Sequence, residues 1–517
     1  MLLQGPPLLN PHLFQYNLPA GCADAKNPAH LKLINALNIL PISKIVSILS
    51  SPEYCYSIYR WQPMGSFSKP CLPKAETLST THLVMSETGS NSNPLPPARY
   101  RRQDSRWVSI PLRIVYLGLF LLLCGFYLTP KVSGVQTSFY LTLLPATLFL
   151  LPWRKDYSFI FSWQFVAFCS LPLILALSTF WADGANADVV REATYYWKLV
   201  LYLAAFYCAI YLLLEQYGDK ILRNLLLAII LVGLVSGIAS LIAYGIDGGF
   251  QKFYRIGGVS LEGNIDKTGM LFGFHALFCC YGIRHSSLFW RWLSWTGLVI
   301  SCTYIFLSQT KIPIIMAGVA ILLSATLTPS RIFKILVALV LFTAIPFAYF
   351  IMFGDLPLFH RSVAYSARLE LWGKTFEEFM LSPIVGSGLV HKQFITLNYV
   401  LPHPHNYLLD VARFTGLLGI AACAWQGLGV LYTVATKKNL LSWVPGLYVA
   451  WFLFGTLAML IYAQQPLVKP NYIWFFYWAP LAILLARSYL EQGKLRPSGS
   501  AYQQIYQKQT PPNIESN

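Results

Sequence analysis

Residues 221–245 read ILRNLLLAIILVGLVSGIASLIAYG, and Arg223 is the only charged side chain in the run. A membrane-spanning helix needs about 20 apolar residues, because the hydrocarbon core is about 30 Å thick and a helix rises about 1.5 Å per residue. This run has that length and is apolar around its whole circumference, as a helix facing lipid or other spans is and an ordinary surface helix is not. Working outward, similar runs occur at about 108–128, 136–153, 158–181, 195–214, 268–283, 288–307, 312–328, 332–353, 404–434, 441–464 and 471–489. The expected fold is therefore an all-α polytopic membrane protein with about 12 transmembrane helices. Composition agrees. Only 11% of the 517 residues are charged and 56% are hydrophobic, whereas a soluble domain carries about 25% charged residues. Trp153, Trp181, Trp290 and Trp292 sit near the ends of runs, where an aromatic belt meets the membrane surface.

The net charge of +17 does not point to nucleic acid, because the cations are dispersed at the ends of apolar runs. Arg99, Arg101, Arg102 and Arg106 precede the first. Arg154 and Lys155 follow the second, and Lys220 and Arg223 follow the fourth. Arg284 and Arg291 separate the sixth from the seventh, Arg331 and Lys334 the eighth from the ninth, and Lys437 and Lys438 the tenth from the eleventh. Arg487, Lys494 and Arg496 close the series. On a strict zigzag all lie on one side, which the positive-inside rule makes cytoplasmic, with both termini there. The first hundred residues are rich in Pro, Ser and Asn. Their apolar stretch 31–50 is interrupted by Lys32, Asn35, Asn38, Pro41 and Lys44. We expect residues 1–100 to be a disordered, non-catalytic extension, with Met85 as an alternative start. Residues 101–490 form the membrane domain and 491–517 a cytoplasmic tail. The ten cysteines show no CxxC or Cys/His metal spacing, so neither a disulfide nor a metal is expected.

Three outer loops carry cations against the orientation signal. The fifth-to-sixth loop holds Lys252, Arg255 and Lys267, and the seventh-to-eighth turn holds Lys311. The longest loop, 354–403, holds Arg361, Arg368, Lys374 and Lys392 with His360, His391 and His403. An anionic ligand is one reason for cations there; headgroup anchoring or pairing with carboxylates is the other. Within the loop, Leu369, Trp372, Phe376, Phe379 and Met380 recur at helical spacing, as in an amphipathic helix lying at the outer membrane surface. Arg368 at its start is mildly unfavourable against the helix dipole. Pro383, Gly386 and Gly388 then end the helix.

Leu401-Pro402-His403-Pro404-His405-Asn406-Tyr407 opens the tenth span. Histidine is the side chain suited to taking a proton near neutral pH, and Asn406 can hold an imidazole or a sugar hydroxyl. Helix capping and interfacial hydrogen bonding explain the same residues equally well. No GxxxxGK[ST] or GxSxG motif occurs. Charge within the spans reads as sparse, with Glu192 and Lys198 at the fourth, and no chain of acidic residues suggests a proton relay.

Arg368-x-x-x-Trp372, Pro383-x-x-Gly386-x-Gly388, His403-Pro404-His405-Asn406-x-x-Leu409 and Gly416-Leu417-Leu418-Gly419 together resemble the signature of the O-antigen ligase and polymerase superfamily. The resemblance covers about 106–487. It implies a GT-C-type glycosyltransferase architecture with a large periplasmic loop between spans nine and ten, and a metal-independent enzyme that needs no cofactor. The implied reaction moves a polysaccharide from undecaprenyl pyrophosphate to a lipid A–core sugar hydroxyl, at the periplasmic face of the bacterial inner membrane, in lipopolysaccharide biosynthesis. Carried over by motif, His405 is the catalytic histidine and Arg368 the donor-binding arginine. His403, Asn406 and Arg361 are secondary substrate contacts. The family's second arginine falls where this chain has Thr310-Lys311. Lysine keeps the charge but not the bidentate fork, so Arg255 is the alternative cation. The rival readings are an O-antigen polymerase, a protein O-oligosaccharyltransferase, a transporter or flippase, and a structural scaffold. The short polar tail argues against the oligosaccharyltransferase, the missing charged path against the transporter, and the outer cations against the scaffold.

Overall fold

The computed structural model describes residues 105–310 apart from 155, 183–188 and 253, then 313, 318, 363–390, 395–396, 400–401, 403–436 and 443–495. The amino-terminal extension with Met85, the runs 312–328 and 332–353, Lys311, Arg361 and the tail beyond 495 lie outside these residues. In chain order the helices are α1 (Ser105–Leu128), α2 (Val132–Trp153), α3 (Trp163–Trp181), α4 (Val189–Tyr217), α5 (Asp219–Ile246), α6 (Ile265–Gly282), α7 (Leu288–Ser308) and α8 (Val363–Leu381). There follow α9 (Tyr407–Thr436), α10 (Trp443–Tyr462) and α11 (Ala479–Leu495), the last entered through a π-turn at Trp474–Trp478. The run that opened the sequence reading is α5. Short helical turns at Ser158–Phe161, Gly249–Lys252 and Leu261–Gly263 and a two-residue antiparallel pair, Ile395–Thr396 with Val400–Leu401, are the remaining regular structure among the described residues.

Among the described residues six helices, α1 to α5 and α9, are long and apolar enough to cross a membrane by length and composition, and α10 carries a shorter apolar stretch, Gly446–Tyr462. Together they make a multi-pass membrane bundle. α6 packs against α7, α3 against α4 and α9, and α11 against α4. The core holds Trp474 and Trp478 fully buried, with both indoles donating to backbone carbonyls, those of Val468 and Pro466. At one end of the bundle, Arg154 pairs with Glu215 and lies 5.1 Å from the ring centres of both Phe159 and Tyr211, which stack on each other at 4.2 Å. Nearby, Arg487 of α11 pairs with Asp219 and Glu491. Ser158 bonds Tyr489, and Gln164 donates to Gln492. These cations, which the charge pattern assigns to a single side, are thus also clasps between helices. His275 lies wholly buried at the centre, its ring nitrogens engaged by Ser301 Oγ at 2.6 Å and the Ile230 carbonyl at 2.8 Å. It is a satisfied core histidine.

The opposite end is organised by a break. α9 is interrupted at Gly416, where φ is 60° and ψ is −149°, a conformation essentially open to glycine alone. The loop after α8 fits into this break. Ser387 N–H donates to the Arg413 carbonyl (2.9 Å) and Gly388 N–H to the Phe414 carbonyl (3.0 Å). In return, Leu417 N–H donates to the Pro383 carbonyl at 2.8 Å. Backbone groups freed by the broken helix are thereby satisfied. Gly386 (φ 70°) and Gly388 (φ 80°) complete the fit. A Cβ on the first would run into the Phe414 backbone, on the second into Ala182, and on Gly416 into Ile384. The glycine motifs therefore have a mechanical explanation: they lock the α8 loop to the break in α9.

α8 is amphipathic, though its faces differ in detail from the spacing argument. Leu371 and Thr375 are buried, Trp372 and Phe379 half-buried, and Leu369, Phe376 and Met380 exposed. The exposed apolar stripe is what an interfacial helix presents to lipid.

Candidate active site

Arg255 occupies a defined place. Its Nε donates to the Ser308 carbonyl (2.9 Å) and its Nη2 to Asp266 Oδ1 (2.7 Å). Asp266 sits in the first turn of α6, which begins at the side-chain cap given by Asn264 to the Lys267 N–H. The other oxygen of Asp266 accepts from the Tyr462 hydroxyl at 3.1 Å. The carboxylate-pair reading of this cation is the geometry found.

Tyr462 leads to the histidines. The ring of His405 lies 6.0 Å, centroid to centroid, from that of Tyr462, and 4.3 Å from that of His403. His405 N–H donates to His403 Nδ1 at 3.2 Å, and His405 holds a left-handed φ of 54°. A left-handed non-glycine residue costs about 1–2 kcal/mol, and such strain clusters at functional sites. Trp372 of α8 donates its indole N–H to the Pro404 carbonyl (3.0 Å), fixing the turn from the other side. His405 makes a backbone hydrogen bond at Tyr462, while its Nδ1 is buried and has no partner among the described residues.

Burial, reinforced by the Arg368 charge, holds the His405 imidazole below its usual pKa; the Tyr462 bond and Asp266 oppose this. His403 is pushed down to about 3 by burial, with His405, Arg413 and Lys267 adding to it. Both rings are therefore neutral at neutral pH. Arg368 is half-buried, and among the described residues no carboxylate or carbonyl is bonded to it. The structure thus gathers His403, His405, Arg368 and, through Asp266 and Tyr462, Arg255. Asn406 caps α9, its Oδ1 accepting from the N–H groups of Leu408 (3.1 Å) and Leu409 (3.2 Å).

The sequence reading missed an ion cluster in the tenth span. Arg413 is fully buried, 3.1 Å from Asp410 Oδ1 and 3.5 Å from Glu378 Oε2, with its guanidinium over the Phe414 ring. Asp410, also buried, accepts from the Gln465 N–H at 2.8 Å. Burial pushes the Glu378 carboxyl up, and the Arg413 charge opposes it. The signal was available as Asp410 and Arg413, one turn apart inside an apolar run. Because Glu378 lies on α8, the cluster ties the helix bearing Arg368 to the helix behind the histidines.

Beside this cluster opens a crevice of about 310 Å³, lined among others by Lys267, Asp410, Gln465, Lys469, Tyr195 and Tyr472. It collects the near ends of α2, α4, α6 and α9 and the 464–472 connection.

Residues 296–424 match the family described as O-Antigen ligase. Over 395 residues the chain is 26% identical to an O-antigen ligase of Pseudomonas aeruginosa, an overlap that covers 75% of this chain and 94% of that protein. The segment that holds Arg368, both histidines and the broken helix thus lies within the match to the O-antigen ligase family, in a multi-pass membrane chain.

Proposed function

We propose that this protein is an O-antigen ligase. It transfers polysaccharide from undecaprenyl pyrophosphate to a sugar hydroxyl of lipid A–core, at the periplasmic face of the bacterial inner membrane. The acceptor hydroxyl gives its proton to Nδ1 of His405 as its oxygen bonds to the anomeric carbon. The bond from that carbon to the pyrophosphate oxygen breaks, and the electron pair leaves with undecaprenyl pyrophosphate. Direct displacement inverts the anomeric centre. Arg368, with Arg361 and Lys311 from the same outer side, meets the charge developing on the leaving group; one such fixed contact is worth about 10²–10³ in rate. The amide group of Asn406 and the ring of His403 line the acceptor's approach. No metal is required in this scheme, because fixed cations supply the electrostatic stabilisation. The full architecture is twelve spans of GT-C type with both termini cytoplasmic.

The observation that carries this reading is the neutral His405, strained in backbone and unpaired at Nδ1, beside Arg368 in a ligase-family segment. Expression in a host lacking its own ligase, supplied with donor and matching core, should restore a ladder of capped lipid A–core on a lipopolysaccharide gel. A core band alone, with longer lipid-linked glycan accumulating, would replace ligase by polymerase.

The electrostatics add a pH signature. The working base is neutral His405, so transfer is present above its pKa and lost as pH falls through it. That pKa lies below the usual histidine value, so the acid limb lies below about pH 6.5. Arg368→Gln removes a charge that depresses it and should move the limb upward, while lowering the maximum. Rates for purified protein across pH 4.5–8 test this; a limb unmoved by the substitution would break the coupling.

A further inference from the structure

α10 ends at Tyr462, and the sequence withholds a helical partner from that residue's carbonyl. The N–H four positions on would belong to Pro466, which has none, and the Gln465 N–H donates to Asp410. The His405 ring bonds at the Tyr462 backbone instead. This bond favours the protonated ring, so it is the carbonyl that accepts. The carbonyl end of a helix also carries partial negative charge, which suits an imidazole gaining a proton. The side chain of the same tyrosine reaches another element: its hydroxyl donates to Asp266 Oδ2 at 3.1 Å. Asp266 Oδ1 is held by Arg255 Nη2 at 2.7 Å, and Arg255 Nε is anchored on the Ser308 carbonyl at the end of α7 (2.9 Å). Each carboxylate oxygen thus has its own donor, and hydrogen bonds to an ionised group are the strong ones. One chain of contacts runs from the end of α7 through Arg255, Asp266 and Tyr462 to the His405 ring.

The charges around that ring act in opposite senses. Arg368 from α8 disfavours a proton on His405, and Asp266 from α6 favours it. His403 lies beside it in the same turn and itself feels Arg413 of α9 and Lys267 of α6. Asp266 is thus the counter-charge to the imidazolium that proton transfer creates.

We infer that Asp266 and Tyr462 are positioning residues for His405: Asp266, pinned by Arg255, orients Tyr462, whose carbonyl holds the imidazole while Nδ1 stays free for the acceptor's proton. Arg255 then serves to fix the carboxylate rather than to bind donor. The role in catalysis rests on the ligase reading; the strut itself does not.

Two readouts keep these apart. Full-length protein with isotope-labelled histidine is reconstituted in nanodiscs without substrate, and the ring signals are followed by NMR as the pH falls. The His405 signal is the one missing from His405→Gly. Asp266→Asn removes a charge that favours the proton, so the His405 titration should move to lower pH, the opposite of Arg368→Gln. Asp266→Glu keeps the charge and should restore it. Tyr462→Phe keeps the aromatic ring but loses the hydroxyl, and should broaden the His405 signal as its ring samples more than one orientation. A titration unmoved by Asp266→Asn would overturn the proposal. In the transfer assay, Tyr462→Phe and Asp266→Asn should each lower kcat about tenfold, the worth of one charge-assisted hydrogen bond, with donor and acceptor KM unchanged. A rise in donor KM with kcat kept would place the Arg255–Asp266 pair in the donor site and overturn it. So would a loss of kcat that tracks thermal unfolding and that Asp266→Glu does not relieve, the mark of a purely structural pair. If the wild-type chain transfers nothing, the ligase reading falls and the titration alone judges the strut.

Discussion

His405→Ala should lower the rate of glycan transfer by about 10²–10⁴, the range for removing a positioned general base, at unchanged abundance in the membrane. The buried Nδ1 without a partner gives the side chain a proton-accepting role that its neighbour lacks, since His403 Nδ1 already accepts from the His405 N–H. His403→Ala should therefore cost less. A sharper version is His405→Gly. Glycine adopts φ of 54° without penalty, so this variant should be at least as resistant to thermal unfolding as the parent and still fail to cap lipid A–core. Loss of function with stability kept or gained separates chemistry from folding. A full ladder on the gel from both His405 variants would remove His405 from the mechanism, and a protein that unfolds in both would make the residue structural.

Gly416→Ala is the second large effect, and it is one of stability. The position needs φ of 60° with ψ of −149°, and an added Cβ meets the backbone of Ile384, which cannot swing aside as a side chain can. Strain of about 1–3 kcal/mol combines with loss of the hydrogen bonds exchanged between 383–388 and 413–418. The sum should reach about 3–5 kcal/mol, in the exceptional tail for a single substitution. Gly427→Ala is the matched control. It lies in the same helix with nothing within 4 Å of an added Cβ, so it should be neutral or stabilising by up to about 1 kcal/mol. Thermal unfolding of both in detergent, followed by loss of the monodisperse peak, makes the comparison. Equal midpoints would mean that the break in α9 is not set by its glycine.

Much of this architecture was legible because hydrophobic periodicity is a local property. The run 221–245 became α5, the helical spacing from Leu369 to Met380 became α8, and the polar turn at 403–406 precedes α9. The interior of α9 was harder to read. A window dominated by Leu, Ala and Gly hides Asp410 and Arg413, and only the fold brings Glu378 from another helix to meet them. For Arg255 the sequence left ligand, headgroup and carboxylate pair open, because its partner Asp266 is 11 residues away, beyond a single helical turn. Asn406 was read as either ligand or cap, and only the positions of the Leu408 and Leu409 amides show it capping. The crevice was not legible at all. Its walls come from six separate stretches of chain, and no window along the sequence contains more than a fragment.

The clasps at the far end of the bundle also set an order in time. Ser158 and Tyr489 are 331 residues apart, and Gln164 and Gln492 are 328. At ribosomal rates of about 5–20 residues per second, the early partners wait roughly a quarter of a minute to a minute for the late ones. Throughout that interval Ser158, Gln164 and Asp219 belong to a nascent bundle whose last helix does not yet exist. A chain truncated before α11 never closes it, and its orphaned polar groups are what membrane quality control would meet.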